Sequence, residues 1–345
     1  MSNLIPCNSK IMNCISDSSE IMKSYSEDQP LVSILINNYN YAPYLKQAID
    51  SALNQTYVNT EVIVVDDGST DNSRDIINEY GNQIIPVFKI NGGQASAMNA
   101  GFAASKGEII CLLDSDDIYL PEKVSEIVNL FKSQANIDWV FHESAPIKSE
   151  EISNTEFKEL VHKVYCLNSE SPKKIDFRTN ILNAELPNFT PSTSNLCFSR
   201  AVLEKIFPLP EVRGFSGMAI TDLYIKYLAV GLSIGYRTVK NLGIFRLHNN
   251  TYSSSEVSQD KKRGLYAEIQ INTAYWMLVN FPEFSKLSQK LFSKALATYL
   301  RSNNNEVNYN DLIKKYLSIV PFIEKFEVSL KTFYYFIKLG FVPLL

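Results

Sequence analysis

The chain has 345 residues, of which 45% are hydrophobic and 20% are charged, and this composition is that of a folded globular protein. Its formal net charge of −4 gives no basic patch of the kind that nucleic acid requires, so we expect no nucleic acid partner. The five cysteines form no CxxC pair, which disfavours a disulfide framework or a zinc site and favours a reducing compartment.

The start of the chain is polar. Residues 1–29 lack the apolar run of a secretory signal, and we interpret them as a flexible N-terminal extension. No apolar run reaches the ~18 residues that a membrane-spanning helix needs. We therefore expect a cytoplasmic protein, with peripheral attachment to the inner face of the membrane as an alternative.

From residue 31 onward, short β-rich runs alternate with helical stretches. Strands are predicted at residues 31–36, 61–65, 84–90 and 108–113. Helices are predicted at residues 44–53, 71–80 and 95–104, and from Pro121 onward. This alternation predicts an α/β fold with a doubly wound, mostly parallel, Rossmann-like sheet. Such sheets bind ligands beyond the carboxyl ends of their strands.

The second half of the chain is less regular. An apolar run at residues 195–198 precedes a helix that begins at Ser199, and a further helix is predicted at 220–230. Strands are predicted at 234–239 and 243–247, in the same sheet. From residue 258 the pattern is helical, with a break at 302–305.

Two acidic clusters directly follow predicted strands. In the first, Asp66 and Asp67 stand before Gly68, where a carboxylate can bind the N–H groups of a base or the hydroxyls of a ribose. A purely structural turn is the alternative, because Asp, Gly and Ser form turns and Asp71 can cap the next helix.

The second cluster contains Asp114, Ser115, Asp116 and Asp117. Carboxylates this close raise one another's pKa unless a cation lies among them. Magnesium and manganese bind few carboxylates together with substrate phosphates, so this cluster predicts a metal site that holds a nucleoside diphosphate. A capped loop before the helix at Pro121 is the alternative.

A glycine-bearing loop, NGGQASAMNAG at residues 91–101, lies between the two clusters. Its Gly93 would let the backbone approach a phosphate closely. Tight packing of the following helix would select the same small residues, so the loop alone does not decide between these readings.

With these motifs assembled, residues 32–123 resemble, in unbroken order, the nucleotide-binding half of the family 2 glycosyltransferases, which have a GT-A fold. The matching strings are VSILINNYN at 32–40, SALNQTY at 51–57, VDDGSTD at 65–71 and DSD at 114–116. The resemblance implies that the donor nucleotide is bound by Asn37, Tyr39, Asp66, Gly93, Asp114 and Ser115. It further implies that Asp116 holds a divalent metal. Met98 departs from the family, where many members carry Arg.

The second half matches more loosely. Its ITDLYIK string at 220–226 resembles the family's catalytic acid motif, with Thr221 in place of the usual Glu, which makes Asp222 the candidate base. An acceptor hydroxyl must lose its proton as it attacks, so a base is required. A helix N-terminal aspartate stabilised by the helix dipole is the alternative for Asp222. The FRLHNN string at 245–250 resembles the family's Arg-x-His ending and implies that His248 is a second metal ligand.

Taken together, the resemblance implies a non-processive, inverting glycosyltransferase that uses Mn or Mg to move a sugar from a nucleotide-sugar. The usual nucleotide of the donor in this family is UDP. The acceptor would be a hydroxyl of a glycan, a lipid-linked sugar or a protein. The GT-A domain would span residues 30–255, with a nucleotide-binding half at 30–142, an acceptor-binding half at 143–255 and a helical region at 256–345. Two alternatives remain: a non-catalytic nucleotide-sugar or carbohydrate-binding module, and a sugar-phosphate nucleotidyltransferase, which would need charge at residues 37–41.

The last predicted helix is amphipathic. One face carries Phe322, Phe326, Leu330, Phe333 and Ile337. This face is expected to pack on the catalytic domain, to join a second subunit in a homo-oligomer, or to lie on a membrane surface.

Overall fold

The structure, a computed structural model, describes residues 29–133, 136–165, 172–189, 191–212, 220, 222–248, 258–302 and 310–341. The strands are β1 (Val32–Asn38), β2 (Thr60–Asp66), β3 (Ile85–Phe88), β4 (Ile109–Asp114), β5 (Ile118–Tyr119), β6 (Trp139–Lys148), β7 (Lys173–Ile175), β8 (Leu196–Ser199) and β9 (Gly235–Leu247). The first helices are α1 (Ala42–Leu53), α2 (Ser73–Glu79), α3 (Gln94–Ala104), α4 (Lys123–Ser133), α5 (Ser149–Asn154), α6 (Phe157–Tyr165) and α7 (Arg178–Leu182). The remaining helices are α8 (Arg200–Ile206), α9 (Asp222–Leu232), α10 (Gln259–Asn280), α11 (Ser285–Arg301), α12 (Asn310–Ile319) and α13 (Phe322–Phe341).

All of these strands join one sheet, in the order β3-β2-β1-β4-β8-β6-β9-β5, with β7 paired to β9. The first four strands of that order run parallel to one another. Strand β8 runs antiparallel to both β4 and β6 and marks where the parallel part of the sheet ends. The predicted α/β fold with helices after the sheet is confirmed.

The central strands β1, β2 and β4 each contain a buried apolar stretch, because both faces of the sheet are covered there. Along β1, Leu35 belongs to one core cluster, whereas Ile34 and Ile36 belong to the other, as the two-residue period of a strand requires. Each such fully buried aliphatic side chain stabilises the fold by about 1.5–3 kcal/mol relative to exposure. The parallel half of the sheet is therefore held from both sides.

Register brings the polar strand ends together. Asn37 lies beside Asp114 on the neighbouring strand β4, and Asn38 lies beside Asp66 on the other neighbour, β2. Because these strands are parallel, their carboxyl ends meet at one edge of the sheet. The motifs singled out in the sequence are thus placed side by side.

The second half contains more sheet than the sequence indicated. Strand β6 was not predicted, and the two runs at 234–239 and 243–247 form the single strand β9. Strand β9 accommodates its extra residues opposite β6 through register shifts between Arg237 and Gly243, which face Phe141 and Ser144. The helix predicted to begin after Ser199 is confirmed, since the Ser199 hydroxyl accepts a hydrogen bond from the Val202 N–H at 3.2 Å.

The C-terminal helices extend the core on one side of the sheet, where α10 packs against α9 and α11 packs against α7. Ile271 and Met277 of α10 and Leu291 of α11 belong to the same core cluster as Leu35 of β1. None of the described helices is long and apolar enough to cross a membrane. The division of the chain at residues 29, 142 and 255 stays a prediction.

Candidate active site

A cavity of about 360 Å³ opens at the carboxyl ends of β1 and β4. Four segments line it: the end of β1 with the turn that follows, the residue after β2, the start of α3, and the turn after β4. The lining residues are Asn37, Asn38, Tyr39, Tyr41, Asp67, Gly93, Gln94, Ala97, Asp114, Ser115 and Asp116. Seven residues singled out in the sequence therefore share one cavity, although they come from four separate motifs.

The Asn37 side chain is poised for a ligand. Its amide nitrogen and oxygen are both buried, and within the described residues neither has a hydrogen-bond partner. Leaving a buried donor or acceptor unpaired costs roughly 1–3 kcal/mol. A polar ligand in the cavity, such as the edge of a base, could satisfy both atoms.

Asp66 is fully buried and is satisfied by the protein itself. Its carboxylate accepts hydrogen bonds from Arg74 Nε at 2.8 Å, Asn38 Nδ2 at 3.2 Å and the Ser69 N–H at 3.2 Å. Burial by itself would raise the pKa of Asp66, but the hydrogen bonds from Ser69, Arg74 and Asn38 outweigh it and hold the pKa below the ordinary value. Asp66 does not line the cavity, and its contact with a base stays a prediction.

Of these two aspartates, Asp67 lines the cavity and Asp66 does not. The sequence alone did not indicate which of the two would face the cavity. Its carboxylate accepts hydrogen bonds from the N–H groups of Gly92 at 3.0 Å and Gly93 at 2.7 Å, and from Lys89 Nζ at 2.5 Å. Gly93 has a φ of 85° and directly precedes α3. Asp67 thus fixes the glycine loop at the edge of the cavity.

Gly68 is required for this arrangement. It has a φ of 77°, and a Cβ at this position would lie 2.6 Å from the backbone nitrogen of Asn91. The turn after β2 therefore packs directly on the glycine loop, and any larger residue would push the two apart.

In the second acidic cluster, hydrogen bonds do not offset the effects of burial and of like charges on Asp114 and Asp117. Burial raises the pKa of Asp114 well above its ordinary value, and the charges of Asp116, Asp117 and Asp222 raise it further. Burial, followed by the charge of Asp116, raises the pKa of Asp117 to about 7, although Ser194 donates a hydrogen bond to it at 2.6 Å. A cation among these carboxylates would stabilise their ionised forms.

Asp116 and His248 come together at the mouth of this cluster, from positions 132 residues apart in the chain. Asp116 Oδ2 lies 3.0 Å from His248 Nε2, and the imidazole is held between aromatic rings, with the Tyr44 ring centroid 4.4 Å away. Adjacent ligands of an octahedral ion with bonds of ~2.1 Å lie ~3 Å apart, so this spacing fits one shared Mg or Mn ion. Within the described residues, no group of three His, Cys, Asp or Glu side chains is placed to hold a metal ion.

Arg246 binds the backbone of Asp116 through its side chain. The sequence placed Arg246 in the Arg-x-His string but did not predict this contact. The side chain is 1% exposed, donates from Nε to the Asp116 carbonyl oxygen at 2.7 Å, and bonds Gln47 Oε1 at 2.6 Å. Its backbone N–H also donates to Asp117 Oδ1 at 3.0 Å. Arg246 therefore ties the end of β9 to the turn that carries Asp116.

Asp222 lies at the first position of α9, outside the cavity lining. Its Oδ2 atom forms an ion pair with Lys226 Nζ at 2.7 Å, and its charge acts on Asp114. Thr221 lies outside the described residues. Met98, where the family resemblance predicted Arg, is fully buried in the core, so its side chain does not face the cavity.

Comparisons with known proteins agree with this architecture. The model of Glycosyl transferase family 2 matches residues 33–207. An uncharacterized glycosyltransferase of Nostoc sp. is 35% identical over 251 residues, which are 71% of this chain and 74% of that protein. The hyaluronan synthase of Pasteurella multocida is 44% identical over 124 residues, which are 35% of this chain and 13% of that enzyme. The crystal structure of S. aureus TarS 1–349 in complex with UDP-GlcNAc shares the fold, with a TM-score of 0.55, 16% identity and 89% of each chain covered.

Proposed function

The chain belongs to glycosyl transferase family 2, and on this basis we propose that it transfers a single sugar from a UDP-sugar to a hydroxyl acceptor, with inversion, in glycan or polysaccharide biosynthesis. The observation that carries the proposal is the convergence of four sequence motifs on one cavity beside the Asp116–His248 pair. A uridine donor is favoured because TarS, which shares the fold, binds UDP-GlcNAc.

In this proposal the donor nucleotide occupies the cavity at the ends of β1 and β4. Asn37 pairs its free amide with the base, and Tyr39 lies beside it at the rim, where 46% of the side chain is exposed. Asp67 holds the N–H groups of Gly92 and Gly93 in place, so the glycine loop is preorganised before the donor arrives. The protein thus binds the nucleotide with little rearrangement of its backbone.

The diphosphate would lie toward Asp116 and His248. A divalent ion bound there stabilises the negative charge that develops on the leaving diphosphate. Arg246 keeps the Asp116 turn in position through its bond to the Asp116 carbonyl oxygen. Arg246 would therefore hold Asp116 where its carboxylate could bind the ion.

Asp222 would act as the base. The acceptor oxygen forms a bond to the anomeric carbon, the bond from that carbon to the diphosphate oxygen breaks, and its electron pair leaves with the diphosphate. The acceptor proton passes to Asp222 Oδ1, because Lys226 already holds Oδ2. Attack from the side opposite the diphosphate gives inversion at that carbon. The acceptor would be a glycan, a lipid-linked sugar or a protein.

Ligand binding tests the site without knowledge of the acceptor. Thermal unfolding is measured with UDP, GDP, ADP and CDP, each with and without Mn. We expect the largest rise in Tm for UDP with Mn, since a ligand at 100 times its Kd stabilises the folded state by about 2.7 kcal/mol. Asp116→Asn should abolish the part of the shift that depends on Mn and leave the Tm of the free protein unreduced.

Transfer is then tested by release of UDP from a panel of UDP-sugars and acceptors. Asp116→Asn should lower kcat about a thousandfold, ~4 kcal/mol, and Asp222→Asn about 100- to 10,000-fold. Asp176→Asn, which removes only an exposed partner of Arg178, serves as the matched control. A wild-type rate in folded Asp222→Asn would show that another group is the base, whereas UDP binding without any turnover would favour a non-catalytic module.

A further inference from the structure

The last helix leaves its apolar face uncovered by the described part of the chain. Helix α13 packs inward through Val328 and Thr332, which are 2% and 7% exposed. The opposite face carries five large apolar side chains, and each is 44–87% exposed: Phe322, Phe326, Leu330, Phe333 and Ile337. Packing of this face on the catalytic domain, one of the three expectations for this helix, is therefore not observed. Contiguous apolar patches that are exposed on a folded protein mark interaction sites.

Charge is distributed unevenly between this region and the rest of the chain. Residues 258–345 carry 12 Lys and Arg against 7 Asp and Glu, whereas residues 1–257 carry 21 against 30. The helical end of an otherwise acidic protein is thus basic. Such a surface attracts an anionic partner and repels a second copy of itself.

The lysines also lie where an interfacial helix needs them. At 3.6 residues per turn, Lys325 flanks the apolar face of α13 on one side, and Lys331 and Lys338 flank it on the other. Long lysine side chains in such positions can keep their stems along apolar surface and extend the ammonium group into the headgroup layer.

Helix α11 adds further positive charge beside this face. A cavity of about 730 Å³ between α11 and α13 is lined by Lys286, Lys290 and Lys331, along with Leu330 and Tyr334. Glu324 and Glu327 line it as well, and Glu327 pairs with Lys331. Burial first, and then the charges of Lys290 and Lys338, lower the pKa of Lys294, which shows that these ammonium groups crowd one another.

We propose that α13 lies on an anionic lipid surface, with its apolar face immersed at headgroup level and the lysines of α11 and α13 directed at the lipid phosphates. A second copy on this face is disfavoured, because a two-fold contact would bring equally basic surfaces together. The attachment that we propose is peripheral. The proposal does not depend on the donor, the metal or the acceptor of the transfer reaction.

Flotation of the full chain with vesicles tests this proposal directly. Vesicles of phosphatidylcholine alone are compared with vesicles in which roughly one third of the lipid is phosphatidylglycerol. We expect binding to the anionic vesicles at least ~10-fold stronger than to the neutral ones, with a marked loss at high salt.

A double variant, Phe326→Gln with Phe333→Gln, should reduce binding to anionic vesicles at least ~10-fold. Both residues are exposed, and an unchanged circular dichroism spectrum and UDP-dependent thermal shift would show that the fold and the donor site are intact.

Phe157→Gln is the matched control. Phe157 is an exposed phenylalanine, 42% accessible, on helix α6, which is not one of the C-terminal helices at residues 256–345.

Three outcomes would overturn the proposal. One is equal binding to neutral and anionic vesicles, and another is an absence of binding to both. The third is a concentration-dependent dimer in size-exclusion chromatography with light scattering that the Phe326 and Phe333 substitutions dissociate, which would make the face an interface between copies of the chain.

Discussion

The two acidic clusters follow strands β2 and β4, which lie on either side of β1 in the sheet. The clusters differ in how their negative charges are compensated. At the end of β2, Asp66 and Asp67 each receive a cation, from Arg74 and Lys89, together with backbone N–H groups. At the end of β4, Asp114 is surrounded by like charges, which raise its pKa.

On the proposal made above, the difference separates a structural role from a ligand-binding one. A carboxylate that already has several hydrogen-bond donors contributes to folding and shapes the loop around it. A group of carboxylates that repel one another is stabilised when a cation binds among them. Three measurements of stability test whether the two clusters differ in this way.

The largest effect is expected at Asp67. Asp67→Asn leaves the Lys89 ammonium without its anion and one of the two glycine N–H groups without a good acceptor. We expect the free energy of unfolding, measured in urea, to fall by about 2–4 kcal/mol. Asp176→Asn on the surface should cost under ~1 kcal/mol. Equal, small losses in both variants would contradict a structural role for Asp67.

A smaller change of opposite sign is expected at Asp114. Asp114→Asn removes one of several mutually repelling charges while keeping the shape of the side chain. Measured with divalent ions chelated, the free energy of unfolding should rise by about 1–2 kcal/mol. The same variant should bind UDP with Mn more weakly. If Asp114→Asn lowers the free energy of unfolding as Asp67→Asn does, Asp114 also has a structural role, and the proposed difference between the two clusters is wrong.

The smallest effect concerns the pH dependence of the first cluster. Since the pKa of Asp66 is lower in the folded protein than its ordinary value of 3.8, its ionised form stabilises the fold above that value. This stabilisation is lost as the pH falls through the lower, folded-state pKa. Arg74→Gln removes one donor, and because Arg74 is about half exposed, we expect a cost of roughly 0.5–1 kcal/mol at pH 7.

The test is a series of urea unfolding curves for the wild type and Arg74→Gln from pH 7 downward. The difference between the two proteins should shrink toward zero once Asp66 is protonated in both states. A difference that stays constant into acid would show that Arg74 stabilises the fold by some means other than its pairing with Asp66.

The first half of the fold could be read from the sequence because its signals are local. Each strand of the parallel part is a continuous apolar run, and each is followed by turn residues and a helical pattern within a few positions. The residues at the strand ends then follow from the parallel order, which places Asn37, Asp66 and Asp114 at one edge. Most of the cavity lining was predictable for this reason.

Other features depend on contacts between distant segments, and no local pattern encodes them. Strand β6 is positioned in the sheet by its pairing with β8 and β9, which lie far from it in the sequence. Cys111 and Cys197, which look unrelated in the sequence, are cross-strand neighbours in the core, and both are free thiols. Whether Asp66 or Asp67 faces the cavity likewise depends on which donors the folded chain brings to each.

The alternation of strands and helices, the family and the acids available for chemistry could all be predicted from the sequence, because periodicity and short motifs act within a few residues. Three features are visible only in the folded chain: the contact of Asp116 with His248, the hydrogen bonds of Asp67 to the glycine loop and the exposed apolar face of α13. Pairing, burial and the net electrostatic field depend on groups that lie far apart in the chain until it folds, so no local pattern predicts them.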